Sequence, residues 1–456
     1  MATEPRAGRA CRRRGGDRSH RCVTSATTLC VSALALASLW WAPAEPARSG
    51  TDTGGSPTLR AGLGVAPLPA PIGGPLGGYG GLFDRDADSI RDAPEARALV
   101  LESERNRIAL VALDVVIVRP ELRDPIAAEL VGDAIDGLVV VATHTHSGPG
   151  GYIDAFLAER LTAGSFRADA PTELAAAATR AIRRAIDDLR PVTAAAGETT
   201  AAFAANRRYP DGDRETALPL LLLAPQDGLA PIAVVSFGAH PTVLGPASHA
   251  YSADYVGALR SALEERGVRP LFLPGPMGDQ RPVLEDADAL SAPEVVAELG
   301  AGLAQRAATL LDGSLRPAVA DLALSELELA LPVPTFRRYC ALWWLEWAVG
   351  ASARRLLPRE VPFQALRVGD AVLAMVPAEP SSRLGEQIRG RLRALWPGSV
   401  PFVVAHANAW AGYVLTADRY EEGGYESCLS FHGPGFGARL VDAAELAAIG
   451  LPADPP

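Results

Sequence analysis

Lysine is absent from the 456-residue chain, and each of its 43 basic residues is an arginine. An absence this complete, in a sequence rich in alanine, glycine and proline, is typical of biased codon usage and points to no particular chemistry. The basic residues are outnumbered by 53 acids. The chain is therefore acidic overall, and its body has no basic stripe with interleaved aromatic residues. These features argue against nucleic acid as a partner.

Cysteine is also scarce. Three of the five cysteines lie within the first 30 residues, which leaves Cys340 and Cys428 in the rest of the chain. The absence of a Cys-x-x-Cys pair excludes the common cysteine-based zinc and redox motifs. Cys340 and Cys428 could form one disulfide in an oxidising compartment or remain two separate thiols.

Long apolar runs are lacking except near the N-terminus. The first 50 residues carry eight arginines against three acids, and a basic stretch there precedes the apolar run CVTSATTLCVSALALASLWW and the small residues Ala42-Pro43-Ala44. This pattern predicts that residues 1–44 are an export signal, cleaved at the small residues, of a secreted or periplasmic protein. The alternative is an uncleaved membrane anchor, because the apolar run is about long enough to span a bilayer.

Residues 45–57 are polar and rich in glycine and proline, which is typical of a linker. No comparable break follows, so residues 58–456 are predicted to form one large domain. Short apolar runs typical of buried strands recur along it: ARALVLE, RIALVALDVVIV, GLVVVAT, IAVVSFG, RPLFLPG, AVLAMVP and PFVVAHA. Amphipathic helical segments alternate with them, which predicts an α/β fold with mixed, partly parallel sheets and flanking helices.

Potential metal ligands follow four of these strands directly. GLVVVAT is followed by His144 and His146, and IAVVSFGA is followed by His240. AVLAMVPA is followed by Glu379, and PFVVAHANAWAG by Tyr413. Sites in such folds lie at the carboxyl ends of strands. Residues two apart on an extended chain share a face, so both histidines of the first pair should point the same way.

Imidazoles with one carboxylate suit a divalent metal such as zinc, which would leave a position for water and polarise a carbonyl. The positions of these candidate ligands are also compatible with ordinary structural roles. A histidine before proline is often a turn residue, and a glutamate after Pro-Ala often lies at a helix start. His249, His406 and His432 are interpreted as ordinary polar residues.

Four separated motifs carry a more specific signal: THTHSGPGGY, FGAHPT followed by SADYVGALRSALEE, PAEPSSRLGEQIRGRLR, and ANAWAGYVLTADRYEEGGYES. Together they resemble the neutral/alkaline non-lysosomal ceramidases, zinc amidases that cleave the N-acyl bond of ceramide. The resemblance covers roughly residues 60 to 440 in order. It implies an exported zinc-dependent hydrolase of a linear amide in ceramide or a related N-acyl lipid.

The resemblance also implies a ligand set for Zn²⁺. His144, His240, Glu379 and Tyr413 match the zinc ligands of the family, and Tyr413 is an unusual phenolic member of that set.

Three further residues match the family's catalytic positions. His146 matches a histidine that supports the ligands or steers the scissile carbonyl. Arg207 resembles an arginine that binds the carbonyl or a carboxylate, and Tyr425 resembles a further active-site tyrosine that assists binding or proton transfer.

One motif departs from the family. GPMGDQRP stands where the family has Gly-Asp-Val-Ser-Pro, so Arg281 replaces a serine with a catalytic role. Arginine stays protonated and cannot act as a nucleophile. Arg281 either faces inward, where it would bind a substrate carboxylate or phosphate, or faces solvent.

This departure leaves alternatives open for the function. One is a hydrolase of a smaller or anionic amide or ester, and another is a zinc-containing lipid-binding protein without turnover. The C-terminal sandwich domain of larger family members is expected to be absent. The tryptophan cluster in residues 339–351 could contact a membrane or line an acyl groove, or it could belong to a core helix.

Overall fold

A computed structural model describes residues 58–79, 85–155, 159–313, 315–317, 320–335 and 357–452. The predicted export signal 1–44, the linker 45–57 and the tryptophan cluster 339–351 lie outside the described residues, as does Cys340. The predicted division of the chain into segments therefore stays a prediction. Cys428 forms a disulfide bond.

The strands of the described residues, in chain order, are β1 Arg60–Pro67, β2 Ser89–Ile90, β3 Glu95–Glu102, β4 Arg107–Leu113, β5 Gly137–Ala142, β6 Arg190–Thr200, β7 Ala204–Asn206, β8 Ala217–Pro225, β9 Ile232–Phe237, β10 Ala250–Tyr251, β11 Arg269–Pro274, β12 Gln280–Pro282, β13 Leu322–Ala330, β14 Glu360–Val368, β15 Ala371–Met375, β16 Glu379–Pro380, β17 Val400–Val404 and β18 Tyr413–Val414. Each of the apolar runs identified in the sequence overlaps one of these strands.

The α-helices of the same residues are α1 Pro120–Glu129, α2 Ala170–Asp187, α3 Tyr255–Glu264, α4 Ala292–Leu311, α5 Ser382–Leu395, α6 Ala417–Glu422, α7 Tyr425–Cys428 and α8 Phe436–Ile449. None of them is both long enough and apolar enough to cross a bilayer.

Two sheets organise the described part of the chain. The larger has eight strands in the order β11-β9-β8-β6-β1-β3-β4-β5, and the smaller has four in the order β13-β14-β15-β17. Parallel pairing joins β4 to β5, β9 to β11 and β15 to β17. The adjacent pairs, β3 with β4, β8 with β9 and β14 with β15, are antiparallel. The predicted α/β fold with mixed, partly parallel sheets and flanking helices is therefore confirmed.

The amphipathic helix α2 packs against the large sheet at very short range. A Cβ atom at Gly62 would lie 2.1 Å from the carbonyl oxygen of Ala185, and one at Gly64 would lie 2.1 Å from that of Ala181. Glycine in β1 and alanine in α2 therefore let the two backbones approach closely. This contact covers one face of the sheet and buries the alanine-rich side of the helix.

The other face of the large sheet shares a core with the small sheet. Buried side chains of both sheets, among them Val139, Leu271, Leu373 and Phe402, form one apolar cluster. Burial of this much apolar surface fixes the two sheets face to face. The carboxyl ends of their parallel strands are then held at one region of the molecule.

The segment after β17, residues 405–408, connects the two edge strands of the large sheet. The amide of Ala405 donates to the carbonyl of Pro274 at the end of β11, and the carbonyl of His406 accepts from the amide of Ala142 at the end of β5. The side chain of Asn408 accepts a further bond from the amide of Val140 at 2.9 Å. These bonds bring the carboxyl ends of β5, β11 and β17 together.

Candidate metal and active site

The predicted ligand residues come together at these strand ends. His144 follows β5, His240 follows β9, and Glu379 and Tyr413 begin the paired short strands β16 and β18. Their exposed fractions are 4%, 1%, 1% and 5%, so all four polar side chains are buried. Buried polar groups require partners, and here the partners are one another.

A turn, and not an extended strand, joins His144 to His146. The φ angle of His144 is 68°, in the left-handed region that residues other than glycine rarely adopt. The rings nevertheless lie close, because the two Nε2 atoms are 3.3 Å apart. The intervening Thr145 donates instead to the carbonyl of Ser252. The two histidines therefore share one location, but the strand periodicity used to predict this is not its cause.

Glu379 lies at the centre of the group. Its Oε1 atom is 2.8 Å from Nε2 of His240 and 3.5 Å from Nε2 of His144. The hydroxyl of Tyr413 is 3.4 Å from the same nitrogen of His240. The other carboxylate oxygen, Oε2, accepts a hydrogen bond from the indole of Trp410 at 3.3 Å.

The donor set fits a divalent metal. Nδ1 of His144 is held by the carbonyl of Val116 at 2.5 Å, and Nδ1 of His240 by the carbonyl of Gln280 at 2.8 Å. With Nδ1–H donating to these carbonyls, each Nε2 would be free to bind a metal beside the carboxylate. A tetrahedral site with bonds of 2.0–2.1 Å has edges of roughly 3.3 Å, close to most of the separations found here.

His406 is a member of this group that sequence reasoning missed. Its ring stacks on that of His144 with centroids 4.0 Å apart, and neither of its ring nitrogens has a hydrogen-bond partner among the described residues. The ligand atoms of His144, Glu379 and His406 lie within 4.8 Å of one another. The interpretation of His406 as an ordinary polar residue missed this position beside the predicted ligands. Its place directly after β17 is the strand-end signal that could have identified it.

The pKa shifts match the charges that metal binding needs. Burial lowers the pKa of His240 to about 4, so its imidazole is neutral near neutral pH. Burial alone would raise the pKa of Glu379, but the imidazoles of His144 and His240 outweigh it and hold that pKa well below its usual range. Neutral imidazoles and an ionised carboxylate are the forms that bind a metal.

His146 lies beside the ligands and is held by neighbouring aromatic and arginine side chains. The ring of Tyr79 meets it edge-on at 4.8 Å, and Arg85 donates to its carbonyl at 3.0 Å. Nδ1 of His146 has no partner among the described residues, and burial together with the nearby His144 holds its pKa well below the usual value. The ring is therefore neutral and has one nitrogen available.

Arg207 is fixed by a carboxylate that the sequence did not identify. Its Nε atom donates to Oε1 of Glu426 at 2.5 Å, and Nη2 donates to the carbonyl of Gly278 at 2.7 Å. Arg208 binds the other oxygen of Glu426. Burial lowers the pKa of Arg207, but Tyr413 and Glu426 outweigh it, so the net shift is upward. Arg207 is thus a rigid, permanent cation beside the ligand group.

Tyr425 lies at the opening and is 52% exposed. Its ring meets that of Tyr413 edge-on at 5.7 Å, and the guanidinium of Arg207 lies 5.4 Å from the ring centroid. The structure therefore places Tyr425 next to two of the predicted site residues.

Arg281 is exposed and also lines the same cavity as the histidines. The two orientations proposed for it from the sequence are thus both partly realised. Its neighbours Asp279 and Gln280 point the other way, where Gln280 is buried and bonds to the hydroxyl of Ser382 at 3.1 Å.

Every site residue predicted from the sequence borders one cavity of about 640 Å³, whereas His406 and Glu426 do not. Its lining consists of Gly78, Tyr79, Val116, Ile117, His144, His146, Thr162, Arg207, His240, Thr242, Gly245, Pro246, Arg281, Glu379, Trp410, Tyr413, Tyr425, Leu429 and Phe431. Aliphatic and aromatic side chains form much of the wall, and the polar groups gather around Glu379. A cavity of this size and character is typical of a small-molecule or lipid site.

Comparison with known proteins supports the motif-based resemblance. Residues 62–269 match the family described as neutral/alkaline non-lysosomal ceramidase, N-terminal. That range includes His144, His146, Arg207 and His240, whereas Glu379 lies beyond it. No curated protein sequence matches the chain.

Solved structures extend the likeness over more of the chain. A neutral ceramidase from Pseudomonas aeruginosa is 21% identical, with a TM-score of 0.74, over 88% of this chain and 76% of that one. A ceramidase complexed with C2 is 21% identical, with a TM-score of 0.73, over 88% and 77%. The resemblance to the family is therefore confirmed, and the chain has the fold of the ceramidase hydrolases.

Proposed function

Because residues 62–269 match the neutral/alkaline ceramidases, we propose that this protein is an exported, zinc-dependent amidase that hydrolyses the N-acyl bond of ceramide or a related N-acyl lipid. The observation that carries the proposal is the convergence of His144, His240 and Glu379 in a largely apolar cavity of about 640 Å³. An amide carbonyl and a long acyl chain need these two environments side by side.

His144, His240, Glu379 and Tyr413 would hold the Zn²⁺. When bound, zinc supplies Lewis-acid chemistry, which polarises a carbonyl and makes a water molecule more acidic. His406 is the further nitrogen ligand available to the same group.

The remaining residues would position the amide and move protons. His146 is neutral and has an unpartnered Nδ1, so it can accept a proton from water or donate one to the leaving amine. Arg207 is held as a cation by Glu426, which suits it to stabilise negative charge that develops on the carbonyl oxygen. Hydrolysis then adds one water across the C–N bond and yields a fatty acid and an amine.

The apolar lining would take the acyl chain. Val116 and Ile117 come from the segment after β4, and Leu429 and Phe431 come from the segment after α7. Each methylene buried on such a surface contributes about 0.8 kcal/mol to binding. A chain of a dozen carbons would therefore bind far more tightly than a short acyl group.

Arg281 supports a second candidate function. Because an arginine stands where the family has a catalytic serine, the protein could act on a smaller or anionic amide or ester, or bind a lipid and zinc without turnover. Intact ligand geometry favours the enzyme, since all of the predicted ligands are present and buried.

The N-terminal pattern supports the export part of this proposal, and so does the disulfide at Cys428, because disulfides persist in oxidising compartments. Contact with a membrane surface through residues 339–351 is part of the same proposal.

The test is hydrolysis of N-dodecanoylsphingosine and simpler N-dodecanoyl amides by the zinc-loaded protein, with dodecanoate measured by mass spectrometry. We expect release of dodecanoate, and a loss of at least about 100-fold in Glu379→Gln. Glu104→Gln is the matched control, since Glu104 is exposed and outside the cavity. A zinc-loaded protein that is inert on every amide would favour the binding protein.

A further inference from the structure

Arg281 differs from the other arginines at the cavity in having no partner. Arg207 and Arg208 are both bound to Glu426, whereas the side chain of Arg281 has no hydrogen bond, ion pair or ring contact among the residues that the structure describes. Arginines on protein surfaces are often solvated in this way. The position of Arg281 is unusual because its side chain also lines the cavity that contains His144 and Glu379.

The strand that carries Arg281 is held in place by backbone pairing and by the side chain of Gln280. Strand β12 pairs with β7, so that Gln280 lies opposite Asn206 and Arg281 lies opposite Ala205. Gln280 is fully buried, and its side chain accepts from the amide of Glu215 at 3.0 Å and donates to the carbonyl of Asp213 at 2.9 Å. Side chains alternate along a strand, so the inward bonds of Gln280 place the side chain of Arg281 on the opposite, outward face of β12.

The charges of the cavity are unbalanced. Its ionisable lining, apart from the histidines and tyrosines, consists of Arg207, Arg281 and Glu379. The carboxylate of Glu379 contacts the imidazoles, and the single carboxylate of Glu426 binds two arginines. A net positive charge therefore remains at the cavity, and it attracts an anion.

Resting on the proposed amidase function, we propose that Arg281 is an anion subsite, and that the substrate is an N-acyl lipid whose amine half carries a carboxylate or a phosphate. The guanidinium fork binds either group through two parallel hydrogen bonds. The acid belongs on the amine half because the apolar lining around Val116 and Phe431 is suited to the acyl chain and offers no charge to its end.

The test compares substrates whose acyl chains all have twelve carbons. The panel is N-dodecanoylethanolamine, which is neutral, N-dodecanoylglycine, which carries a carboxylate, N-dodecanoyl-phosphoethanolamine, and a dodecanedioic monoamide whose acid is at the far end of the acyl chain. The proteins are the wild type, Arg281→Gln, and Arg214→Gln as a control. Arg214 is an exposed arginine that does not line the cavity.

We expect the wild type to cleave an amide with an acidic amine half with a kcat/KM about tenfold to hundredfold above that of the neutral amide. Arg281→Gln should lose this preference, and Arg214→Gln should keep it. The carboxylate and phosphate members show which acid is preferred. Equal rates on neutral and acidic amides, a preference for the acid on the acyl end, or a preference that survives in Arg281→Gln would each overturn the proposal.

Binding measurements with uncleavable substrate analogues test the anion subsite independently of the amidase proposal. The ketone isosteres of the ethanolamine and glycine amides, in which a methylene replaces the NH, cannot be hydrolysed. Calorimetry should show that the wild type binds the acidic isostere at least about tenfold more tightly than the neutral one, and that Arg281→Gln binds both alike. If no amide is cleaved but this difference is found, the amidase proposal fails and the subsite stands. Equal binding by the wild type overturns the subsite.

Discussion

Nε2 of His240 lies 2.8 Å from Oε1 of Glu379, although the two residues are 139 positions apart in the chain. His240 follows a strand of the large sheet, and Glu379 follows a strand of the small sheet. The candidate metal site therefore depends on how the two sheets pack. Substitutions around it should separate the residues that hold a metal from those that position a substrate.

Glu426 is expected to act through Arg207. Glu426→Gln keeps the size of the side chain but removes the charge that binds Arg207 and Arg208. We expect kcat/KM for an N-acyl amide to fall about 10–100-fold, with metal content unchanged, because Glu426 contacts none of the predicted ligands in the described structure. The control is Glu422→Gln, since Glu422 binds Tyr209 and Arg419 at the surface. Unchanged activity of Glu426→Gln would contradict this role.

Gly78 is expected to set the position of His146. A Cβ atom at Gly78 would lie 2.5 Å from the Cα, Cβ and Cγ atoms of His146. Gly78→Ala should therefore displace the ring and lower kcat about tenfold or more, because small displacements of catalytic groups are costly.

Gly73→Ala is the matched control for that change. Both glycines have positive φ angles, 112° at Gly78 and 82° at Gly73, so both substitutions strain the backbone. A Cβ atom at Gly73 would meet nothing within 4 Å. Equal losses of activity in the two variants would show that strain, and not displacement of His146, is the cause.

His406→Phe distinguishes the two ligand sets that the structure allows. Phenylalanine preserves the stack on His144 but offers no ligand atom. If His144, His240, Glu379 and Tyr413 hold the metal, the variant should keep the wild-type metal content. Loss of the metal from His406→Phe, measured by mass spectrometry of the protein's metals, would make His406 a ligand.

The buried pair of Glu215 and Arg389 should make stability depend on pH. Burial raises the pKa of Glu215 from 4.5 to about 7, although Arg389 opposes the shift from 3.1 Å. The folded protein thus binds a proton that the unfolded chain has already released. The contribution of this group to stability is full below about pH 4.5 and is lost as the pH rises through about 7.

Arg389→Met should enlarge this effect. At pH 8 the variant leaves a buried carboxylate unpaired, and we expect a loss of about 3–5 kcal/mol in the free energy of unfolding. The loss should be smaller at pH 5, where Glu215 is protonated. Urea unfolding at both pH values measures it. Arg393→Met, which removes an exposed arginine from the same helix, should cost at most about 1 kcal/mol at either pH.

Much of the fold could be predicted from the sequence. Strands such as Gly137–Ala142 and Ile232–Phe237 are buried on both faces, so they appear as short continuous apolar runs between turn signals. Strand β13 was missed because its burial alternates and Glu326 and Glu328 interrupt the apolar pattern. The order of strands in the large sheet could not be predicted, because pairing between distant segments depends on tertiary packing.

The site was predictable to the extent that its residues follow strands directly. His144 and His240 have that signal, and the motifs of a known family matched both of them to zinc ligands. Glu426 has no such signal, because it lies in a short helix and reaches Arg207 across 219 positions of sequence. The side-chain direction of Arg281 could not be predicted from the sequence either, since it depends on the pairing of β12 with β7.

The central claim is that this group of side chains holds one metal ion, and elemental analysis of the purified protein tests it most directly. After dialysis against zinc and then against buffer, the wild type and Glu104→Gln should retain about one Zn²⁺ per chain. His240→Ala and Glu379→Gln should retain little or none while remaining folded by circular dichroism. A wild type that retains no metal, or folded variants that retain as much as the wild type, would contradict the account.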